Sequence, residues 1–320
     1  MAADYLFAVG RIKALEDTLL DATQWQRLSE ADIPEGMKIL EEAGYGADSE
    51  DKQDLEALIG TEITDARTLI AEICPEPELS DLFLLPTDGH NIKVILKGIL
   101  NRKASPELLL GGGSISLDLL DKSIDSGNYD AIPEALAQAM RKAENQEDPR
   151  VLSAIIDDGV YAEILEVLEK KKNDLLSKYF NAKITFTNIL TIVRCNILSW
   201  EQSKAKPLLL NGGNLDEKTL LDALGLAPEQ LSAQLATGEY STLIKERLDD
   251  FAQDKDITNL EQGLENAALS IIHNARMDSF GIGPIINYLL SKLNEGRALR
   301  ILFAAKRAGI KVPLSQLGVI

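Results

Sequence analysis

Two stretches of this 320-residue chain, about 100 residues apart, carry nearly the same sequence, and a third near the C-terminus echoes them. Asn91-Ile-Lys-Val-Ile-Leu-Lys97 reads against Asn188-Ile-Leu-Thr-Ile-Val-Arg194, while Asn294-Glu-Gly-Arg-Ala-Leu-Arg300 keeps the first position and the last two. Behind the first copy comes Pro106-Glu-Leu-Leu-Leu-Gly-Gly-Gly113, and behind the second Pro207-Leu-Leu-Leu-Asn-Gly-Gly213. Ser126-Gly-Asn-Tyr129 then answers Thr237-Gly-Glu-Tyr240. Matches kept in order mark an internal repeat, and its period is too long for a solenoid built from units of about 20 to 50 residues. Each copy is the size of a small domain. The expectation is three related lobes with pseudo-threefold symmetry, at roughly 1–130, 131–245 and 246–320. Lobes around a shared axis would present a central opening or face to something axial. Three copies stacked without a functional axis fit the same repeat.

The fold class expected is all-α. Val160, Ile164 and Leu168 form an i, i+4 stripe, as do Leu260, Leu264, Ala268 and Ile272. Leu15, Leu19 and Leu20 suggest another near the N-terminus. Ala43-Gly-Tyr-Gly46, the glycine pairs and Ala308-Gly309 read as tight turns that stop helices. Ile184 to Val193 is rich in β-branched residues and alone suits a strand. Its alignment with the two other signature segments decides for a helix. Glu144 to Pro149 and Pro75 to Glu78 read as surface loops.

Composition allows a large core of Leu, Ile, Ala and Val, since 45% of residues are hydrophobic but only 5% aromatic. No apolar run reaches the ~18 to 20 residues of a spanning helix. Met1-Ala-Ala-Asp-Tyr5 has no basic leader region, which argues against a secretory signal. Two cysteines, Cys74 and Cys195, without CxxC spacing suit buried thiols in a reducing cytoplasm. A net charge of −18 argues against nucleic acid, whose phosphates need a basic face. The acidity is uneven. Asp88 to Lys103 holds four basic residues and one acid, and Lys292 to Lys311 six and one. Recurrent positive patches would grip an acidic partner or lipid headgroups. Basic residues in last helical turns, facing the dipole's negative end, are the plainer account.

Chemistry is sparse. His90 and His273 lie far apart in sequence, and with two scattered cysteines there is no zinc set, so no metal and no cofactor are expected. Gly111-Gly-Gly113 lacks the lysine that a phosphate loop places after its last glycine. Asp88-Gly-His-Asn91 could pass for a catalytic pair, but no nucleophile accompanies it, and a helix-entry cap is the better account. No catalytic residue is expected.

Asp88-x-His-Asn-Ile-Lys93, the leucine-glycine-glycine turns, and Asp278-Ser-Phe-Gly-Ile-Gly-Pro-Ile-Ile-Asn-Tyr-Leu-Leu290 followed by Asn294 to Arg300 resemble the C subunit of the archaeal and bacterial V-type ATPases. That protein is the equivalent of the d subunit of the eukaryotic enzyme. Tyr5, Arg11, Leu15-Glu16, Leu19-Leu20 and the Gly44-Tyr45-Gly46 turn are similar too, so the resemblance runs along essentially the whole chain. One departure is Lys292-Leu-Asn-Glu295, where relatives often carry Lys-Glu-x-Glu. The resemblance implies a funnel-shaped, all-helical rotor subunit without chemistry of its own. It would sit at the cytoplasmic face of the membrane, peripheral to it. It would join the central-shaft subunits of the soluble head to the ion-carrying ring and pass torque between them. Neither the coupled ion nor the direction, pump or synthase, follows from these residues.

The signature positions Asn91, Lys97, Asn188, Arg194, Asn294 and Arg300 are then expected on equivalent inward helices, with the cations lining the shaft socket or the ring face. Asparagines that cap helices beside solvated cations are the structural alternative. A helical scaffold or adaptor outside a rotary machine, and an enzyme with a scattered site, are the other function classes left open.

Overall fold

Secondary structure in the computed structural model is helical: among the described residues, 5–46 and 54–318, there are sixteen α-helices and no strand. Met1 to Asp4, read above as lacking a leader, lie outside the described residues. In chain order come α1 (Leu6–Lys13), α2 (Ala22–Glu30), α3 (Ile33–Glu42), α4 (Leu55–Ile73), α5 (Glu78–Asp81), α6 (Leu85–Leu100), α7 (Leu117–Ser126) and α8 (Glu134–Ala143). They are followed by α9 (Pro149–Lys171), α10 (Asp174–Ile197), α11 (Gln202–Ala205), α12 (Glu217–Leu221), α13 (Pro228–Leu235), α14 (Ser241–Asp254), α15 (Ile257–Asn274) and α16 (Gly283–Arg307).

Local chemistry explains most of the starts. Asp21 accepts from the amide of Gln24 in a reciprocal capping box, and Asp32 and Asp148 cap α3 and α9 just ahead of a proline in the first turn. Gly44 and Gly309 take φ of +95° and +69° just past α3 and α16, as C-terminal glycines do. The β-branched run is helical, in the middle of α10. Ile184, Ile189, Ile192 and Val193 are all buried, so packing outweighs strand propensity.

The chain forms two compact units. The first takes residues 1–88, 109–114 and 275–320; the second takes 89–108 and 115–274. In the first, α16 packs on α4, α1, α3 and α5, and Ile12, Trp25, Leu40, Leu58, Ile70 and Phe303 fill the core. In the second, α9 packs on α8 and α10, and α15 on α10 and α14. Its core draws on both sequence stripes: Ile156, Val160, Ile164 and Leu168 of α9, and Leu260, Leu264, Ala268 and Ile272 of α15.

Two expectations are corrected. Leu15, Leu19 and Leu20 do not share a helix, because α1 stops at Lys13 and Leu19 is extended after one 3-10 turn. The amide of Leu20 donates to the buried carboxylate of Glu295, a tertiary bond that a helical path would forfeit. The glycine pairs do not stop helices directly. Each closes an extended strap that opens with a 3-10 turn, Pro106–Leu108 or Lys206–Leu208. What demands glycine is close approach: a Cβ on Gly111 would stand 2.9 Å from the Cα of Gly60 on α4. Gly213 has φ +80°, and a Cβ there would stand 2.8 Å from Oγ1 of Thr185.

Candidate functional site

The three signature segments lie on α6, α10 and α16, and the first two share one bond to the chain just past their glycine turns. On α10, Asn188 is buried; its Nδ2 donates to the carbonyl of Leu210 at 2.9 Å and its Oδ1 accepts from the amide of Leu210 at 2.8 Å. One turn earlier, Thr185 Oγ1 accepts from the amide of Asn214, just past the glycine turn, at 2.7 Å. On α6, Asp88 holds the position of Thr185, three residues before the signature asparagine. Fully buried, it accepts from the amide of Ser114, again just past the glycine turn, at 3.0 Å, and from the Ser114 hydroxyl at 2.5 Å. On α16, Asn294 Nδ2 donates to the carbonyl of Gly318 at 2.8 Å. Asn91 is buried on α6.

Helix-entry caps are therefore the wrong reading of these residues. Asn91, Asn188 and Asn294 sit inside their helices, and Asp88 lies within the first turn of α6. Backbone groups there are already paired along the helix, so the side chains of Asn188, Asn294 and Asp88 serve the passing chain instead. His90 donates from Nε2 to the carbonyl of Leu108 at 2.9 Å, a second tie between α6 and the chain that follows it.

The signature cations divide. Arg300 is committed: its Nε lies 2.7 Å from Glu56 Oε2 and its Nη2 2.5 Å from Glu56 Oε1. The same Oε1 accepts from the amide of Gly111 at 2.7 Å, so α16, α4 and the glycine turn of the first unit meet at one carboxylate. Arg194 is half exposed and pairs with Glu261 at 2.6 Å. Lys97 has no ion pair among the described residues, and burial together with the neighbouring Lys93 pushes its ammonium below the usual lysine range. Lys97 and Arg194 line the same hollow in the second unit, of about 660 Å³.

One charged cluster escaped the sequence reading. Lys292 and Glu295 of α16, one turn apart, are both buried in the first unit. Lys292 Nζ lies 3.1 Å from Glu62 of α4, 3.3 Å from the carbonyl of Thr18 and 5.2 Å from the centre of the Tyr45 ring. Tyr45 donates to Glu295 at 2.9 Å, and so does the amide of Leu20 at its other oxygen. Burial raises the Glu295 carboxyl above its ordinary range, against the pull of Lys292, and burial with Glu295 raises the Tyr45 phenol well above its own. The cluster pins the Gly44-Tyr45-Gly46 turn and the segment after α1 to α16. Its signal was available: an i, i+3 pair of opposite charges inside an apolar helix, at the place where the sequence departs from the family pattern.

Among the described residues no group of three His, Cys, Asp or Glu side chains could hold a metal ion, and no helix is long and apolar enough to cross a membrane. Cys74 and Cys195 are buried and free, their thiols raised by desolvation. What the geometry offers is a set of clasps that tie the passing chain to α6, α10 and α16, and a hollow lined by Lys97, Arg150 and Arg194.

Residues 8–312 match the family model for the ATP synthase (C/AC39) subunit. The C subunit of the A-type ATP synthase of Methanosphaera stadtmanae is 23% identical over 98% of this chain and 86% of its own length. The C subunit of the V-type sodium ATPase of Enterococcus hirae is 25% identical over 82% of this chain and 80% of its own. The corresponding A-type ATP synthase protein of Methanococcoides burtonii is 26% identical over 97% and 92%.

Proposed function

Because this chain belongs to the ATP synthase (C/AC39) subunit family, we propose that it is the non-catalytic rotor subunit that links the central shaft of the soluble head to the ion-carrying ring. In this reading it works as a coupling, peripheral on the cytoplasmic face, with the shaft and ring subunits as partners. Three related lobes, at about 1–130, 131–245 and 246–320, surround an opening that receives the end of the shaft. Torque passes through them during ATP-driven transport of H⁺ or Na⁺, or during ATP synthesis.

The observation that carries the proposal is the recurrent clasp. The same hydrogen bond joins Asp88 to Ser114 and Thr185 to Asn214, and Asn188 and Asn294 each hold a carbonyl of the chain that follows. A part that transmits load must not yield, and hydrogen-bonded clasps on close-packed helices, with Asp88, Thr185 and Asn188 themselves buried, deform little. Within the signature set, Lys97 and Arg194 are the cations open to a partner, while Arg300 with Asn91, Asn188 and Asn294 supports the helices.

Deleting the chain from cells tests this. The detached head should go on hydrolysing ATP while ATP-driven ion transport across the membrane is lost. Transport that continues at the parental rate would overturn the reading and favour a helical scaffold outside the rotary machine.

A further inference from the structure

The hollow of the second unit lies against the N-terminal half of α9 and the C-terminal half of α10, with Lys97 of α6 and the strap beside them. Three cations line it: Lys97, Arg150 and Arg194. Its one acid, Asp157, is already bonded to Lys93 at 2.5 Å. The Arg150 guanidinium lies 4.8 Å from the centre of the Trp200 ring and pairs with Asp148, close by in sequence. Leu198, 55% exposed, and Trp200 give the hollow an apolar side.

This is a positive, partly apolar recess on a chain of net charge −18. Lys97 is partly desolvated and forms no ion pair among the described residues, a state that an incoming anion would relieve. The Arg194–Glu261 pair is exposed on both sides and so is weak enough to exchange partners. A recess between helices admits side chains rather than the flat face of a bilayer, and the acidic chain as a whole repels nucleic acid. We infer that this hollow docks an acidic segment of a partner polypeptide, with a carboxylate against Lys97 and an apolar side chain against Leu198 and Trp200. The inference rests on the rotor reading, which makes that partner another subunit of the same ATPase.

The test places p-benzoylphenylalanine at position 198 of the full chain and irradiates the intact complex, isolated at low salt. A cross-link to an Asp- or Glu-containing segment of another subunit is expected. Its yield should fall about tenfold in a Lys97→Glu background, and also at high salt. Lys97 has no ion partner among the described residues, so Lys97→Glu should leave the melting temperature unchanged; Lys97→Met, which removes the charge without reversing it, should lower the yield less. A complex that contains the chain but yields no polypeptide cross-link overturns the docking site alone. So does a cross-link indifferent to Lys97→Glu. Absence of the chain from the complex overturns the rotor reading and the docking site together.

Discussion

At the scale of single residues, the buried charges of α16 are the most consequential. Lys292→Ala would leave Glu62 and Glu295 facing each other without their cation, and breaking a buried pair in this way costs about 3–5 kcal/mol. Urea titration followed by circular dichroism should show that loss. Glu295 also sets a pH dependence. Burial raises its folded pKa above the ordinary 4.5, so its contribution is full below that value and is lost as pH rises through the raised pKa. The stability of the parent minus that of Glu295→Gln should therefore decline from about pH 4.5 upward and then level off. A difference that grew with pH would show that Lys292 outweighs burial. Sequence alone marked Asn188, Asn294 and Asp88 as special but offered them the commoner job of caps. Their bonds join residues more than 20 positions apart, which no local pattern encodes. Glu56 was invisible for the same reason: acids abound in this chain, and only folding brings one beside both Arg300 and Gly111.

At the scale of elements, the straps depend on a few bonds to neighbouring helices. Asn188→Ala leaves the amide and carbonyl of Leu210 unmet in a buried place, at about 1–3 kcal/mol for each group. Hydrogen exchange should show the amides of Leu210 and Asn214 opening faster, with α15 unchanged. Gly111→Ala meets the backbone of α4 rather than a flexible side chain, so the strap of the first unit must move, at a cost of about 1–3 kcal/mol. A melting temperature equal to that of the parent would contradict this. Helix identity was legible from the spacing of apolar residues in α9 and α15, and from the repeat in α10, where propensity alone pointed to a strand. The leucines after α1 misled because their spacing fits a helix, whereas a buried carboxylate on α16, far along the chain, takes up the amide of Leu20.

For the whole molecule, separating support from contact gives a test of the residues behind the rotor reading. Arg300→Glu would set two acids together at the Glu56 clasp and should lower the unfolding temperature. Lys97→Glu with Arg194→Glu should leave that temperature nearly unchanged yet weaken capture of the other ATPase subunits, most at low ionic strength. Capture weakened equally at every salt concentration would argue that the charges do not steer binding. The helical class and the family were legible in the sequence because ordered motifs run along the chain. The cation-lined hollow was not, since Arg150 and Trp200 lie outside the repeat. The chain has only two tryptophans, and the fold places Trp25 in the core of the first unit and Trp200 beside the hollow of the second. Each unit thus carries its own built-in fluorophore. Emission from Trp25→Phe and Trp200→Phe proteins would report, without any label, whether the halves of this molecule melt as one body or in succession.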